Sequence, residues 1–163
     1  MLSAINITDS GLDLAKGCRY ISKEGYELEN KRTNIKADDI LLSIVGTIGK
    51  SVIVTKEYEN ITVQRSVAVI KPNIDIILPK YLLMYIRSLT FQNTLKELSH
   101  GSQQQGVYLD QLKNIKIPVP DIEEQKKIIT KVLPLEAEIE RLQKEIDEIP
   151  AKKQAILDKY LKL

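Results

Sequence analysis

Cysteine occurs once, as Cys18, and histidine once, as His100. A single cysteine excludes an internal disulfide and a cysteine-based zinc site. A single histidine removes most histidine-based metal and triad chemistry. Cys18 has no C-x-x-C partner and no nearby histidine, so it reads as an inert thiol. No apolar run reaches the length of about 18 residues needed to span a bilayer. Met1-Leu2-Ser3 leads straight into charged and turn residues without a signal-peptide core, so the expected compartment is the cytoplasm and no membrane contact is expected. The G-x-S-x-G and G-x-G-x-x-G patterns are missing. Asp38-Asp39 and Glu123-Glu124 are adjacent pairs whose side chains diverge, so neither makes a catalytic dyad; a turn and a helix cap account for them. Gly49-Lys50-Ser51 ends like a phosphate-binding loop. However, Ile44 stands where that loop needs glycine, and Val52-Ile53-Val54-Thr55 favours strand where the loop must open a helix. A nuclease fails for want of a carboxylate cluster with metal-ligand spacing. These residues assemble no enzyme and call for no cofactor or metal.

What the 163 residues do contain is a junction. In Ile117-Pro118-Val119-Pro120-Asp121-Ile122-Glu123-Glu124-Gln125, the two prolines hold the approach extended. Asp121 can cap a helix, and Glu124 three residues on can complete a capping box. The prolines thus read as a stiff mount between a head, residues 1–120, and a long helical spacer or dimerisation arm, residues 121–163. The head carries 15 Lys/Arg against 12 Asp/Glu and the tail 9 against 10, so the slight positive excess of the chain sits on the head. That excess permits nucleic-acid binding without requiring it.

Within the head, the alternation around Ile5 and Ile7 predicts a strand starting near residue 4, early enough to suggest that the domain lacks an N-terminal piece. Ser22 caps a short helix over Lys23–Glu29. Ile40–Val45 and Ser51–Thr55 flank Gly46-Thr47-Ile48-Gly49-Lys50 and read as a hairpin. Ile61–Val63 and Ser66–Ile70 add further strand. Pro79 opens a helix with Tyr81, Leu82, Tyr85 and Ile86 on one face. A second helical piece covers Phe91–Leu98, a short one Leu109–Leu112, and Lys113–Val119 reads as a last strand. The fold class is α+β: a mixed-sheet domain with short helices, then a long C-terminal helix of coiled-coil type. In that helix Val132, Leu135, Ile139, Leu142, Ile146 and Ile149 repeat at spacings of 3 and 4, and the register continues through Lys153, Ile156, Tyr160 and Leu163. Pro134 and Pro150 predict a bend or break. So narrow a seam asks for another helix as partner.

The polar loops carry the chemistry of DNA contact. Ser99, His100, Ser102, Gln103, Gln104 and Gln105 fall in one glycine-bounded loop, and Thr47, Lys50, Gln64 and Arg65 lie near strand ends. Glutamine can bond bidentately to adenine, and serine, histidine, lysine and arginine suit phosphates. Polar loops are solvated on every protein, so from chemistry alone a helical adaptor that binds protein through its head stays open beside a DNA reader.

Asp39-Ile40-Leu41-Leu42-Ser43 with Gly46-Thr47-Ile48-Gly49-Lys50 resembles a block of the specificity subunits of type I restriction–modification systems. Gln64-Arg65 with Ala68-Val69-Ile70-Lys71-Pro72 is similar to the block after it, and Tyr81-Leu82-Leu83-Met84-Tyr85-Ile86-Arg87-Ser88 to the family's next helix. Gly101-Ser102-Gln103, Leu112, Ile115, Ile117-Pro118-Val119-Pro120 and Glu124-Gln125 resemble its later signature, and Lys153-Gln154-Ala155-Ile156-Leu157 the end of its conserved helix. The blocks occur in order over nearly the whole chain. Asp121 replaces a common proline, Gly106 stands where asparagine is frequent, and Pro134 and Pro150 interrupt the helix. A full subunit has two target recognition domains and two such helices; this chain has one of each and lacks the usual first strand. That fits a half-subunit, a cassette fragment or the recognition domain of a fused methyltransferase. The resemblance implies a non-catalytic reader of double-stranded DNA. Its partners would be an adenine methyltransferase subunit, which holds the S-adenosylmethionine, and through it a restriction subunit. In the family two such helices pack antiparallel as a spacer, which implies a homodimer or pairing with a second recognition half.

Overall fold

The computed structural model describes residues 1–8, 10–58, 60–100 and 106–161. They fall into two compact units, Met1–Lys126 and Lys127–Leu163. The first unit is built on a three-stranded antiparallel sheet in the order β4-β3-β5, with β3 at Ile40–Ser43, β4 at Ser51–Ile53 and β5 at Val67–Ile70. Leu41 stands opposite Val52 on one side and Val69 on the other. Side chains alternate along a strand. Leu41 therefore joins Leu2, Ile7, Ile35, Val52, Val54, Val63 and Val67 in the core on one face. Ile40 and Leu42, paired with Ile70 and Ala68, serve the other face, where Ala68 and Ile70 border Leu82, Ile86 and Phe91. Burial on both faces explains why the central strand is an unbroken apolar run. Each fully buried aliphatic chain there stabilises the fold by about 1.5–3 kcal/mol.

Three predicted strands do not form as expected. Ala4–Asn6 is a single 3-10 turn, followed by a two-residue strand β1, Ile7–Thr8, paired with β2, Gly11–Leu12. The cause is Asn6, which is fully buried. Its Oδ1 accepts from the Ser3 N–H at 2.8 Å, and its Nδ2 donates to the carbonyls of Asp13, at 3.0 Å, and Lys16. That amide satisfies local backbone in place of a ladder, and Ile5 turns outward, 58% exposed. Over Ile61–Val63 the expected strand shrinks to one parallel bridge between Leu2 and Val63. Lys113–Val119 forms no strand either. Lys113 ends helix α4, Leu109–Lys113, and Pro118 has no N–H to give to a ladder.

The helices follow their caps. α1 spans Lys23–Thr33, with the Ser22 Oγ accepting from the Gly25 N–H at 3.1 Å. It runs four residues beyond the expected end because Asn34, at φ 42°, supplies a left-handed C-cap. α2, Pro79–Arg87, buries Tyr81, Leu82 and Ile86 as its periodicity predicts. α3, Leu89–His100, follows after Ser88, and Phe91 sets its ring edge-on to Tyr85 at 5.8 Å.

α5, Ile122–Leu161, begins in the first unit and continues through the second, running through Pro134 and Pro150 without interruption. Its start is fixed twice. Asp121 Oδ1 accepts from the Glu124 N–H at 2.8 Å. The fully buried Gln125 side chain accepts from the Leu78 N–H at 2.8 Å and donates to Ile76 and Pro120 carbonyls at 2.9 and 2.8 Å. Tyr81 adds a bond from its hydroxyl to the Pro118 carbonyl, 3.0 Å, and burial, with Tyr85 nearby, pushes its phenol pKa up, which keeps the donor protonated. Along the second unit, Arg141 bridges Glu138 and Glu145, and Lys152 reaches Glu148 at 2.9 Å. The Arg141 hydrogen bond holds Glu138 below the usual carboxylate range, and Lys152 does the same for Glu148. Such pairs one turn apart support an exposed helix. No helix of the described residues is long and apolar enough to cross a membrane.

Candidate nucleic-acid interface

Antiparallel order puts the C-terminal end of β3, the start of β4 and the start of β5 at one edge of the sheet. The connection from β3 to β4 is a tight turn clasped by a serine. The Ser43 Oγ, fully buried, receives the Lys50 N–H at 2.9 Å and donates to the Thr47 carbonyl. The Ser43 carbonyl takes the Gly49 N–H at 2.9 Å. Gly46 and Gly49 have φ of 78° and 94°, which only glycine adopts without strain. At Gly49 a Cβ would also overlap the Gln92 amide. Gln92 donates to the Gly49 carbonyl at 3.0 Å and the Ile86 carbonyl at 2.8 Å, locking the turn onto the helices.

Two further segments come to the same edge. The Ile44 N–H donates to the Ser66 carbonyl at 2.9 Å, which brings in Gln64 and Arg65. The Val107 N–H donates to the Ile44 carbonyl at 2.8 Å, and Gly106 bridges Val45, so the chain after α3 re-enters here. Four of the residues predicted to touch DNA are thus gathered at one sheet edge: Thr47 and Arg65 exposed, Lys50 and Gln64 half-buried. Ser99 sits in the last turn of α3, with its hydroxyl donating back to the Lys96 carbonyl at 2.8 Å, and His100 closes that helix. Ser102, Gln103, Gln104 and Gln105 lie outside the described residues.

Sequence reasoning missed three contributors. Ser43 reads as one more strand residue, yet it holds the turn. Arg19 and Arg32 carry no functional reading in the sequence, and Arg32 lies beyond the helix expected over Lys23–Glu29. In the structure they line a hollow of about 450 Å³ together with Gln64 and Arg65. No spacing in the sequence signals that meeting, since it depends on α1 folding back beside Val63, where the Arg32 Nη2 donates to the Val63 carbonyl at 3.1 Å. The decoys resolve as structural groups. Gly49-Lys50-Ser51 runs into a strand. Asp39 accepts from the Lys36 N–H at 2.9 Å and pairs with Lys71 at 2.6 Å.

The antiparallel sheet thus gathers hydroxyl, amide and cationic side chains at its turn edge, on a chain with a long C-terminal helix. The family model for the type I restriction modification DNA specificity domain matches residues 4–151, and the chain belongs to that family. It is 35% identical over 147 residues to the type I restriction enzyme EcoBI specificity subunit of Escherichia coli, a stretch that takes in 90% of this chain and 30% of that protein. The chain therefore spans about a third of the length of such a relative. Among solved structures, a chain from a study of complex assembly and conformational transition in the type I R-M system aligns with a TM-score of 0.66. That alignment has 21% identity, over 78% of this chain and 33% of the other. The HsdS subunit from Thermoanaerobacter tengcongensis aligns with a TM-score of 0.58 and 20% identity, over 77% and 32%. These two likenesses show the α+β fold.

Proposed function

We propose that this chain is a non-catalytic reader of double-stranded DNA in a type I restriction–modification system. The observation that carries the reading is the convergence of Thr47, Lys50, Gln64 and Arg65 on one sheet edge, in a chain of the DNA specificity domain family. The turn edge would enter the major groove, where base edges carry distinguishable donor and acceptor patterns. Ser99, His100 and the loop residues Ser102, Gln103, Gln104 and Gln105 are proposed as further contacts of the same kind. Bond chemistry falls to partners: an adenine methyltransferase subunit that holds S-adenosylmethionine, and indirectly a restriction subunit, with the cytoplasm as the site of action. The head would be residues 1–120 and the spacer residues 121–163. A protein-binding adaptor without DNA affinity is the reading that the family membership does not favour.

The spacer needs a partner. Leu135, Ile139, Leu142, Ile146 and Ile149 are 43–66% exposed, and Ile156 and Tyr160 follow in register. Either a second recognition half or a second copy would cover them, and the charges flanking the seam favour a copy running antiparallel. With Ile146 opposite the partner's Ile149, the seam aligns from Leu135 against Tyr160 through Ile139 against Ile156. Glu138 then faces the partner's Lys159, and Glu145 the partner's Lys152. A parallel pair would set Glu138 beside Gln143 and Glu145 beside Pro150, which offer no cation. Two heads so paired would read a two-part symmetric site.

Titration of a labelled duplex with the chain tests the reading. Affinity is expected to fall steeply from about 50 to about 200 mM salt, as phosphate contacts require. Absence of duplex binding at low salt, with the methyltransferase subunit also supplied, would refute it.

A further inference from the structure

The hollow beside the reading edge is lined by three guanidinium groups, Arg19, Arg32 and Arg65, with Gln64 and Leu28. Its one carboxylate, Glu29, is engaged by Arg32 at 3.2 Å. The same Arg32 Nη2 donates to the Val63 carbonyl, which pins the guanidinium between α1 and the segment leading to Gln64. A guanidinium presents five N–H donors in a rigid plane. With both Nη2 hydrogens engaged, Nε and Nη1 remain as separate donors, already held in place. Arg19 is set by its backbone, which exchanges two hydrogen bonds with Met1, Arg19 N–H to Met1 carbonyl at 3.2 Å and Met1 nitrogen to Arg19 carbonyl at 2.6 Å. Among the described residues the Arg19 and Arg65 side chains make no hydrogen bond or ion pair, so the fold does not use their charge. The hollow is continuous with the reading edge, since Gln64 and Arg65 line it and the Ser66 carbonyl next in the chain receives Ile44.

We infer that Arg19, Arg32 and Arg65 form a clamp for the phosphate backbone of the duplex, flanking the groove-reading turn and indifferent to sequence. The inference rests on the DNA-reading proposal. The planar fork of arginine matches the oxygens of a phosphodiester, and two or more forks around one concavity hold it from several sides. Such contacts set register and orientation and carry no base information. These arginines are therefore positioning residues, while selectivity stays with the turn and the glutamine-rich loop.

The test is the salt dependence of binding for the whole chain and for its Arg19→Gln/Arg65→Gln variant, on several duplexes of unrelated sequence. Neither side chain bonds within the fold, so the variant keeps its fold. The slope of log affinity against log salt is expected to flatten by about two, one for each arginine removed, and by the same amount on every duplex. Salt-sensitive binding by the parent chain with an unchanged slope in the variant would overturn the clamp and leave the reading intact. Weakening on one duplex alone would assign these arginines to base contact, and it would overturn the clamp too. Stoichiometric binding of inorganic phosphate, lost in the variant while the DNA slope holds, would assign the hollow to a free anion. A parent chain that binds no duplex would remove the reading and the clamp together.

Discussion

A few residues hold the reading edge in shape, and Gly49 is one of them. It sits at φ 94°, between Lys50, whose N–H bonds the Ser43 Oγ, and Gln92, whose amide covers its carbonyl. Alanine there meets two penalties, a left-handed backbone costing about 1–2 kcal/mol and displacement of the Gln92 amide. Gly49→Ala is expected to lower the unfolding free energy in urea by about 2 kcal/mol, whereas Thr47→Ala, an exposed change in the same turn, stays within about 0.5 kcal/mol. Equal effects at both positions would mean that the turn is soft and that Ser43 and Gln92 do not define it. The stiffness matters for function because a reading turn has to present its side chains without ordering them again on each encounter.

At the level of elements, the start of α5 shows how a single amide can anchor a helix. Gln125 is fully buried, with its oxygen on the Leu78 N–H and its nitrogen on two carbonyls. Gln125→Ala leaves those groups unpaired and is expected to destabilise the first unit by about 2–3 kcal/mol in chemical denaturation. A loss under about 1 kcal/mol would mean water replaces the amide at no cost. The elements differ in how far the sequence revealed them. Strand β3 and its hairpin were legible because four buried residues in a row followed by two glycines leave few other solutions. Helix α2 was legible from its 3.6-residue period and Pro79. Residues 4–7 misled, because Asn6 buries a side-chain amide where alternation promised a strand, and no local pattern shows that Asp13 and Lys16 will supply its acceptors. Of the site, Thr47, Lys50, Gln64 and Arg65 were found by chemistry type. Arg19 and Arg32 were not, since a cleft made by residues 46 positions apart is a property of the tertiary fold.

For the whole molecule, the open question is what covers the seam of α5, and the charges beside it give a test that composition cannot mimic. The flanking positions are acidic early, Glu138 and Glu145, and basic late, Lys152 and Lys159. An antiparallel copy brings opposite signs together at four places across the two-fold axis. Reversing the early pair, Glu138→Lys/Glu145→Lys, makes all of these contacts Lys against Lys. Reversing the late pair, Lys152→Glu/Lys159→Glu, makes them Glu against Glu. Each variant alone is expected to sediment as a monomer under conditions where the parent chain dimerises, and an equimolar mixture is expected to restore the dimer, because every contact then joins unlike charges. Interfacial charges set partner choice and orientation more than raw affinity, so the effect should shrink as salt screens them. A parallel pair predicts that neither reversal acts in this way, since Glu138 and Glu145 then face Gln143 and Pro150 and Lys152 faces Leu157. A parent chain that stays monomeric at micromolar concentration would point to a different second helix as the natural cover of the seam.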